Sequence, residues 1–408
     1  MIKEKIFCGL DIGSQRIKVA LIKTKKPSSV ELLGVQEEPT RGFKKSSISD
    51  LHDLADSIHG ALKGLMKTTG CRLKDIQLGI GGPLIECRYG KAAIPLVDKV
   101  SKVVTGTDLK KVNKQACLLG VKIEEEILHD FPQHYLVDDI NRALNPLGLY
   151  GRKLSVTSLL VLANVNLVSN IAKAVNRAGF EVSNVFFTSY ACAEVSLSKE
   201  ARQKGCLLVD MGAETTGILF IKDGLLKQTD VIHLGGDHFT HRIAETLNIP
   251  FDLAEEIKIS HAVVQGEVKQ QEGEILIKKE NGYKPVKRKV ICSSIEPETE
   301  KLIAHIQNTL KLSRLSDKLQ GGIVMAGGGA LLPGLIEHVE RAVAQPVRIG
   351  KLQIQAAAIN NAAVFMPAIG LAYTGFGKST DGFLPPAVAG GWFNNISSRI
   401  TDLYEEYF

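Results

Sequence analysis

Three glycine-bearing turns in this chain have the make-up of phosphate cradles. The first, DIGSQRIK, runs from Asp11 to Lys18 and sets Gly13 and Ser14 between two apolar runs, Ile6 to Ile12 and Ile17 to Lys23. Glycine lets backbone approach a ligand closely, and consecutive N–H groups in such a turn can hold phosphate oxygens. Asp11, at the strand end, can hold a hydrated Mg²⁺ through water. Lys18 can offer a point charge to phosphate. The second turn, DMGAETTG from Asp210 to Gly217, supplies another strand-end acid, the backbone of Gly212, and the hydroxyls of Thr215 and Thr216. The third, MAGGGALLPG from Met325 to Gly334, has Gly327, Gly328 and Gly329 ahead of a helical pattern. That arrangement permits flat packing of a base or sugar on backbone, with a helix N-terminus favouring negative charge. Taken singly, each turn reads equally well as an ordinary hairpin or loop.

The elements around these turns repeat. Ile6 to Ile12, Ile17 to Lys23 and Val30 to Gln36 read as an antiparallel meander. Residues 50–68 carry helical spacing (Leu51, Leu54, Ile58, Leu62, Leu65) after Asp50 as a cap, and Ile76 to Ile80 is a strand ending in Gly81-Gly82-Pro83. The opening then recurs: Cys206 to Met211 is a strand, and Thr216 to Lys222 a second. Asp11 matches Asp210, Gly13 matches Gly212, Ile22 matches Ile221 and Lys23 matches Lys222, all at an offset of 199. A repeat at so long a period predicts two similar domains facing each other. Residues 264–290 are polar and rich in Lys and Glu, which predicts an exposed hairpin or loop. Residues 374–391 are rich in Gly, Ser and Pro and read as a flexible linker.

The totals narrow the class. A length of 408 residues predicts two to three domains, and 44% hydrophobic with 23% charged residues is ordinary globular composition. The net charge of +6 is modest and its lysines and arginines are spread out, which argues against a nucleic-acid partner. Seven cysteines without a CxxC suggest neither a disulfide framework nor a zinc module, and fit a reducing cytosol. The start, MIKEKIFCGLDIG, lacks the apolar core of a signal peptide, and no run of eighteen apolar residues occurs. Gly377-Lys378-Ser379 is not a Walker loop, because Ala372 stands where that motif needs glycine. His233, His238 and His241 match no standard metal spacing.

The three turns in this order resemble the nucleotide site of the superfamily of actin, sugar kinases and heat-shock chaperones. There the first two hairpins grip phosphates from opposite domains and the third turn touches adenosine. LGGDHFTHRIAE, Leu234 to Glu245, resembles the superfamily stretch passing close to the phosphates, which adds Gly235 and Gly236 to the expected site. Glu255 and Lys258, three apart on one helical face, resemble the pair that reaches the adenosine. The resemblance is closest to the FtsA family of bacterial cell-division proteins, over nearly the whole chain. It is carried by Glu126 to His129, Pro132-Gln133, Tyr135, Val137-Asp138, Pro146, Gly148, Gly151 and Leu154, which fall in that family's insertion subdomain 1C. Gly235-Gly236-Asp237, Ala254 to Lys258, Gly327 to Leu335 and Pro367 to Tyr373 also match.

Departures from the family pattern bear on chemistry. Where the second phosphate turn usually reads DIGGGTTDI, this chain has Ala213-Glu214 in place of Gly-Gly and Gly217 in place of Asp. A Glu214 side chain near phosphates repels them unless it points away or binds the ion. Chaperone relatives place an acid where Thr188 stands, to orient the attacking water, and Glu194 lies two turns further on. No catalytic residue is therefore assigned. The expectation is ATP binding with slow hydrolysis, the nucleotide acting on conformation or polymerisation.

The last segment, GWFNNISSRITDLYEEYF, is amphipathic. At about 100° per residue, Trp392, Phe393, Ile396, Ile400, Leu403, Tyr404, Tyr407 and Phe408 fall within about 160° of arc, with only Ser397 intruding. It resembles the membrane-targeting helix of the FtsA family. Arg399 faces three acids, so repulsion from anionic lipids opposes binding at roughly 1 kcal/mol per charge. Eight apolar side chains outweigh this, and a polymer carrying many copies gains further by avidity.

The expected fold is α/β: duplicated actin-like (ribonuclease H-like) domains around a nucleotide cleft, with small subdomains and a C-terminal amphipathic helix. Domain 1 (1A) is expected over 1–82 and 163–198, subdomain 1C over 83–162, domain 2 (2A) over 199–228 and 305–373, subdomain 2B over 229–304, a linker over 374–390 and the membrane helix over 391–408. The ligands implied are ATP and Mg²⁺, the latter near Asp11 and Asp210. The resemblance implies self-association into filaments, binding of FtsZ and other division proteins, contact with anionic membrane lipids, and a peripheral place on the cytoplasmic face of the cell membrane at the division site. The alternatives are a phosphoryl-transferring kinase of the same superfamily, a heat-shock-like chaperone, for which only 33 residues follow position 375, and a pilus-assembly actin-like protein.

Overall fold

The computed structural model describes residues 4–26, 29–44, 46–83, 85–96, 102–264, 273–279, 282–312, 319–356, 359 and 361–379. Apolar runs too long to alternate build two sheets that are buried on both faces. One has the strand order Glu181–Phe187, Asp75–Ile80, Lys5–Ile12, Arg16–Lys26, Ser29–Pro39, Gln355–Ala356. The other runs Val347–Ile349, Ile323–Ala326, Cys206–Met211, Thr216–Lys222, Leu225–Ile232. The order is the same in both: a three-strand meander whose first strand also pairs in parallel with a later one. Register repeats as well. Asp11 lies opposite Lys18 and Asp210 opposite Gly217, the same pair of positions moved by the offset seen in the sequence. The repeat therefore covers whole sheets.

Two helices, Thr188–Ser196 and Ala362–Ser379, cross between these sheets. No Cβ fits at the crossing: one added to Gly370 would stand 2.0 Å from the carbonyl oxygen of Ala191, and one on Gly9 would stand 2.0 Å from that of Ala368. The longer helix takes in the first six residues of the expected linker. Thr374 donates to the Gly370 carbonyl at 2.8 Å, Gly375 lies against Gln77, and buried Phe376 meets Phe7 edge-on at 5.8 Å. These small residues are packing positions, which corrects the linker reading for 374–379. Residues 380–390, and the segment 391–408 with Trp392 to Phe408, lie outside the described residues. Among the described residues no helix is long and apolar enough to cross a membrane.

A third sheet, ordered Asn141–Ala143, Glu125–Val137, Lys153–Asn164, Ile85–Pro95, is set into the first half and carries the helix Gly106–Gly120, whose Thr105 and Asp108 form a capping box. It touches both halves. His129 Nε2 accepts from the Phe187 backbone at 2.9 Å, while Gln133 donates to the Leu226 carbonyl at 2.8 Å and Tyr89 to that of Lys227 at 3.1 Å. Within 264–290, Glu274–Lys279 and Gly282–Lys287 pair as an antiparallel hairpin. The expected boundaries at 228/229 and 304/305 both fall inside single elements, Leu225–Ile232 and the 25-residue helix Arg288–Leu312.

Gly370→Ala should lower stability by about 2–3 kcal/mol, because the helices must part to admit one carbon. Gly106→Ala, where a Cβ meets nothing within 4 Å, should shift the urea midpoint little. Equal midpoints for both variants would refute the packing argument.

Candidate functional site

The tips of the two equivalent hairpins face each other across a cavity of about 440 Å³. That volume is in the range of small-molecule sites. Asp11, Gly13, Ser14, Lys18, Asp210, Gly212, Thr215, Gly236, Glu255, Lys258, Gly327, Gly328 and Gly329 all line it. Thr216 and Gly235, expected in the site, do not. Thr216 is fully buried and donates to the Leu234 carbonyl at 2.6 Å. Gly235 precedes the helix Gly236–Leu247, and a Cβ there would stand 2.4 Å from the Ala213 carbonyl oxygen. Both residues hold the wall in place from behind.

The two turns are closed alike. The Gly13 amide donates to the Arg16 carbonyl at 3.2 Å, and the Gly212 amide to that of Thr215 at 2.9 Å. The third turn leans on the second: Gly327 has φ +83, and a Cβ there would lie 2.3 Å from the Met211 carbonyl oxygen. The Gly236 and Asp237 amides donate to the Gly212 and Ala213 carbonyls at 3.0 and 2.8 Å, which ties the Gly236–Leu247 helix to the same turn.

The electrostatics are dominated by desolvated carboxylates. Burial pushes Asp210 up to about 6; neighbouring Asp11 adds to this, and a hydrogen bond from Ser189 and the charge of Lys18 offset part of it. Asp11 is raised by burial and held back by Lys18. Burial also carries Asp237 to about 6, with Lys258 opposing and Glu255 and Glu214 reinforcing the rise. A cation beside Asp11 and Asp210 would relieve that strain, so the pair fits a hydrated Mg²⁺, which keeps most of its waters. Among the described residues no three His, Cys, Asp or Glu form a closed metal cage.

The departures acquire physical reasons. Gly217 stands where any side chain would collide with Ser189, since a Cβ would be 2.4 Å from its Oγ. Glu214 lines the cavity and accepts from Ser14 Oγ at 2.6 Å. Next to it Gln15 donates to Asp237. Lys258 Nζ reaches the Gly236 carbonyl at 3.0 Å, Thr240 at 2.9 Å and Glu255 at 2.7 Å, so the pair is part of the wall. Glu194 is engaged by both terminal nitrogens of Arg202, at 2.9 and 2.6 Å. The helix Thr188–Ser196 thus presents the hydroxyls of Thr188 and Ser189 to the cavity.

Several lining residues were not among those expected to bind: Gln15 and Ser189, which the sequence reading passed over, and Thr188, Asp237 and the segment Gly79–Gly82, parts of which it named without assigning them to the ligand. The repeat held a clue to one of them, because Gln15 and Glu214 are equivalent under the 199-residue offset.

A family model described as "Cell division protein FtsA" matches residues 207–370, and one described as "SHS2 domain inserted in FTSA" matches residues 82–162. The chain is 28% identical over 384 residues to the cell division protein FtsA of Pseudomonas aeruginosa, spanning 93% of this chain and 91% of that one. It is 28% identical over 355 residues to the Escherichia coli K12 protein of the same name, spanning 85% and 84%. In fold it is similar to a PilM–PilN type IV pilus biogenesis complex, with TM-score 0.65, 17% identity, and 91% and 98% of the two chains covered. It is similar also to MreB5 of Spiroplasma citri bound to ADP, with TM-score 0.54, 13% identity and coverage of 93% and 99%. The fold is the actin-like one.

Asp210→Asn should stabilise the ligand-free protein at pH 7 in EDTA by about 2–3 kcal/mol. The raised carboxyl favours the folded state when protonated. That contribution is full below about pH 4, the unfolded value, and is lost as pH rises through about 6. The advantage of the variant in urea unfolding should therefore grow across pH 4–6 and then level off. A constant difference from pH 4 to 8 would contradict the assignment.

Proposed function

The chain belongs to the FtsA family of cell-division proteins, and from that premise we propose that it binds ATP with Mg²⁺ between its two hairpin turns and tethers FtsZ to the inner face of the cytoplasmic membrane. The observation that carries the nucleotide reading is the pair of register-matched turns, each closed by the same amide-to-carbonyl bond and each following a strand-end aspartate, on one cavity. Two turns from opposite halves can hold a phosphate chain only when the halves close on it, so nucleotide binding is coupled to closure. Asp11 and Asp210 would take the hydrated ion, Lys18 a phosphate charge, and the Gly327–Gly329 turn the adenosine. The adenine nucleotide is supported by the ADP named with the Spiroplasma citri MreB5 structure.

Hydrolysis is slow in this reading, because Thr188 and Ser189 stand where a water-orienting acid would be needed and Glu194 is held by Arg202. ATP then acts as a closure and polymerisation ligand. The inserted sheet around 85–164 is read as subdomain 1C. Head-to-tail self-association would multiply the amphipathic segment at 391–408, whose single copy binds anionic lipid reversibly.

The test is co-sedimentation of the full chain, and of a chain stopped at Gly390, with anionic vesicles at physiological salt. The full chain should pellet, more so with Mg-ATP, and the shortened chain should stay in solution with or without it. Equal pelleting of both chains would exclude the C-terminal anchor, and an ATP-independent result would exclude the nucleotide's role in assembly.

A further inference from the structure

Glu214 has a position that the family pattern leaves to glycine, and it reaches across the cleft. Its carboxylate accepts from Ser14 Oγ at 2.6 Å, joining the tips of the two hairpins. Beside it Gln15, the counterpart of Glu214 under the repeat, donates to Asp237. The tips are thus fastened by two polar contacts, each ending on a carboxylate from the second half. Both carboxylates line the cavity.

We propose that Glu214 is a specificity-determining residue that discriminates against the third phosphate of a nucleotide unless a divalent cation accompanies it. This rests on the reading of the cleft as a nucleotide site. A phosphate chain lying between the turns must part Ser14 from Glu214. Every phosphate oxygen entering there meets two acidic side chains, half-buried Glu214 and Asp237, that line the same cavity. A triphosphate brings one more negative charge than a diphosphate to that end. A divalent ion held with the phosphates by Asp11 and Asp210 would offset the added negative charge and relieve the repulsion. The free triphosphate is therefore penalised relative to the diphosphate, and the metal complex is not. The hydroxyl of Ser14 serves only the fastening, whereas the charge of Glu214 serves the discrimination.

The experiment titrates the full-length chain with fluorescent ADP and ATP analogues, in EDTA and in Mg²⁺. The chains compared are wild type, Glu214→Gln, Glu214→Gly and Ser14→Ala, with urea midpoints confirming that each is folded. In EDTA, both Glu214 variants should raise the affinity for ATP relative to ADP by about tenfold, and Mg²⁺ should remove most of the difference. Ser14→Ala, which keeps the charge, should shift both nucleotides together. An unchanged ATP-to-ADP ratio in the Glu214 variants would overturn the role assigned to Glu214 while leaving the nucleotide site standing. Failure of every chain to bind either nucleotide would overturn the site and this role with it.

Discussion

Everything in this molecule hangs on a helix crossing that has no room for a side chain. Gly370 lets the Ala362–Ser379 helix lie directly on the backbone of Thr188–Ser196, and Gly9 lets the central strand of the first sheet do the same on the longer helix. Close-packed contacts of this kind transmit displacement, because a packed interior yields little. The crossing fixes how far apart the two sheets lie. The sheets in turn fix the distance between the hairpins at their edges. The first residues of the shorter helix, Thr188 and Ser189, reach the cavity, so one element both joins the halves and touches the site.

Around the cavity the fold holds charge where solvent is scarce. Asp11 and Asp210 end equivalent strands; burial raises the proton affinity of both, and Asp11 adds to the rise at Asp210. Such a pair opposes folding at neutral pH and favours any cation that can lie between the halves, a common relation between a binding site and stability. The tips add a second relation, since Ser14 and Glu214 join the halves at a spot where a phosphorylated ligand would have to part them. The direct contact between the tips thus competes with a bound ligand for the same groups, while the rest of the cleft can still close on the ligand. The inserted sheet, bonded through His129 to one half and through Gln133 and Tyr89 to the other, spans the line about which the halves would move.

Much of this architecture was legible because a hairpin carries its register in its sequence. Asp11 with Gly13 and Asp210 with Gly212 mark two strand ends, and the common offset predicts a duplicated sheet, which the strand order repeats over five strands, the edge strand Gln355–Ala356 of the first sheet being extra. Contacts between distant segments were not legible. The Thr216 hydroxyl was expected to meet ligand, yet it serves a carbonyl eighteen residues away. Residues 374–379 look like linker by composition, but Gly375 is small because Gln77 presses on it, and Phe376 packs against Phe7. Glu214 was read as repulsive to phosphate, and only the folded chain shows Ser14 opposite it. That one helix runs from Arg288 to Leu312, across the boundary expected at 304/305, was not legible either.

The central claim is that two equivalent turns from opposite halves clasp one nucleotide. Hydrogen–deuterium exchange of the full chain, with and without Mg-ATP, tests this most directly, since it reads each turn separately in the intact molecule. The account predicts slower exchange in peptides spanning 11–18 and 210–217 together, with the Gly327–Gly334 turn following. Protection confined to one half, or none at saturating nucleotide, would contradict it.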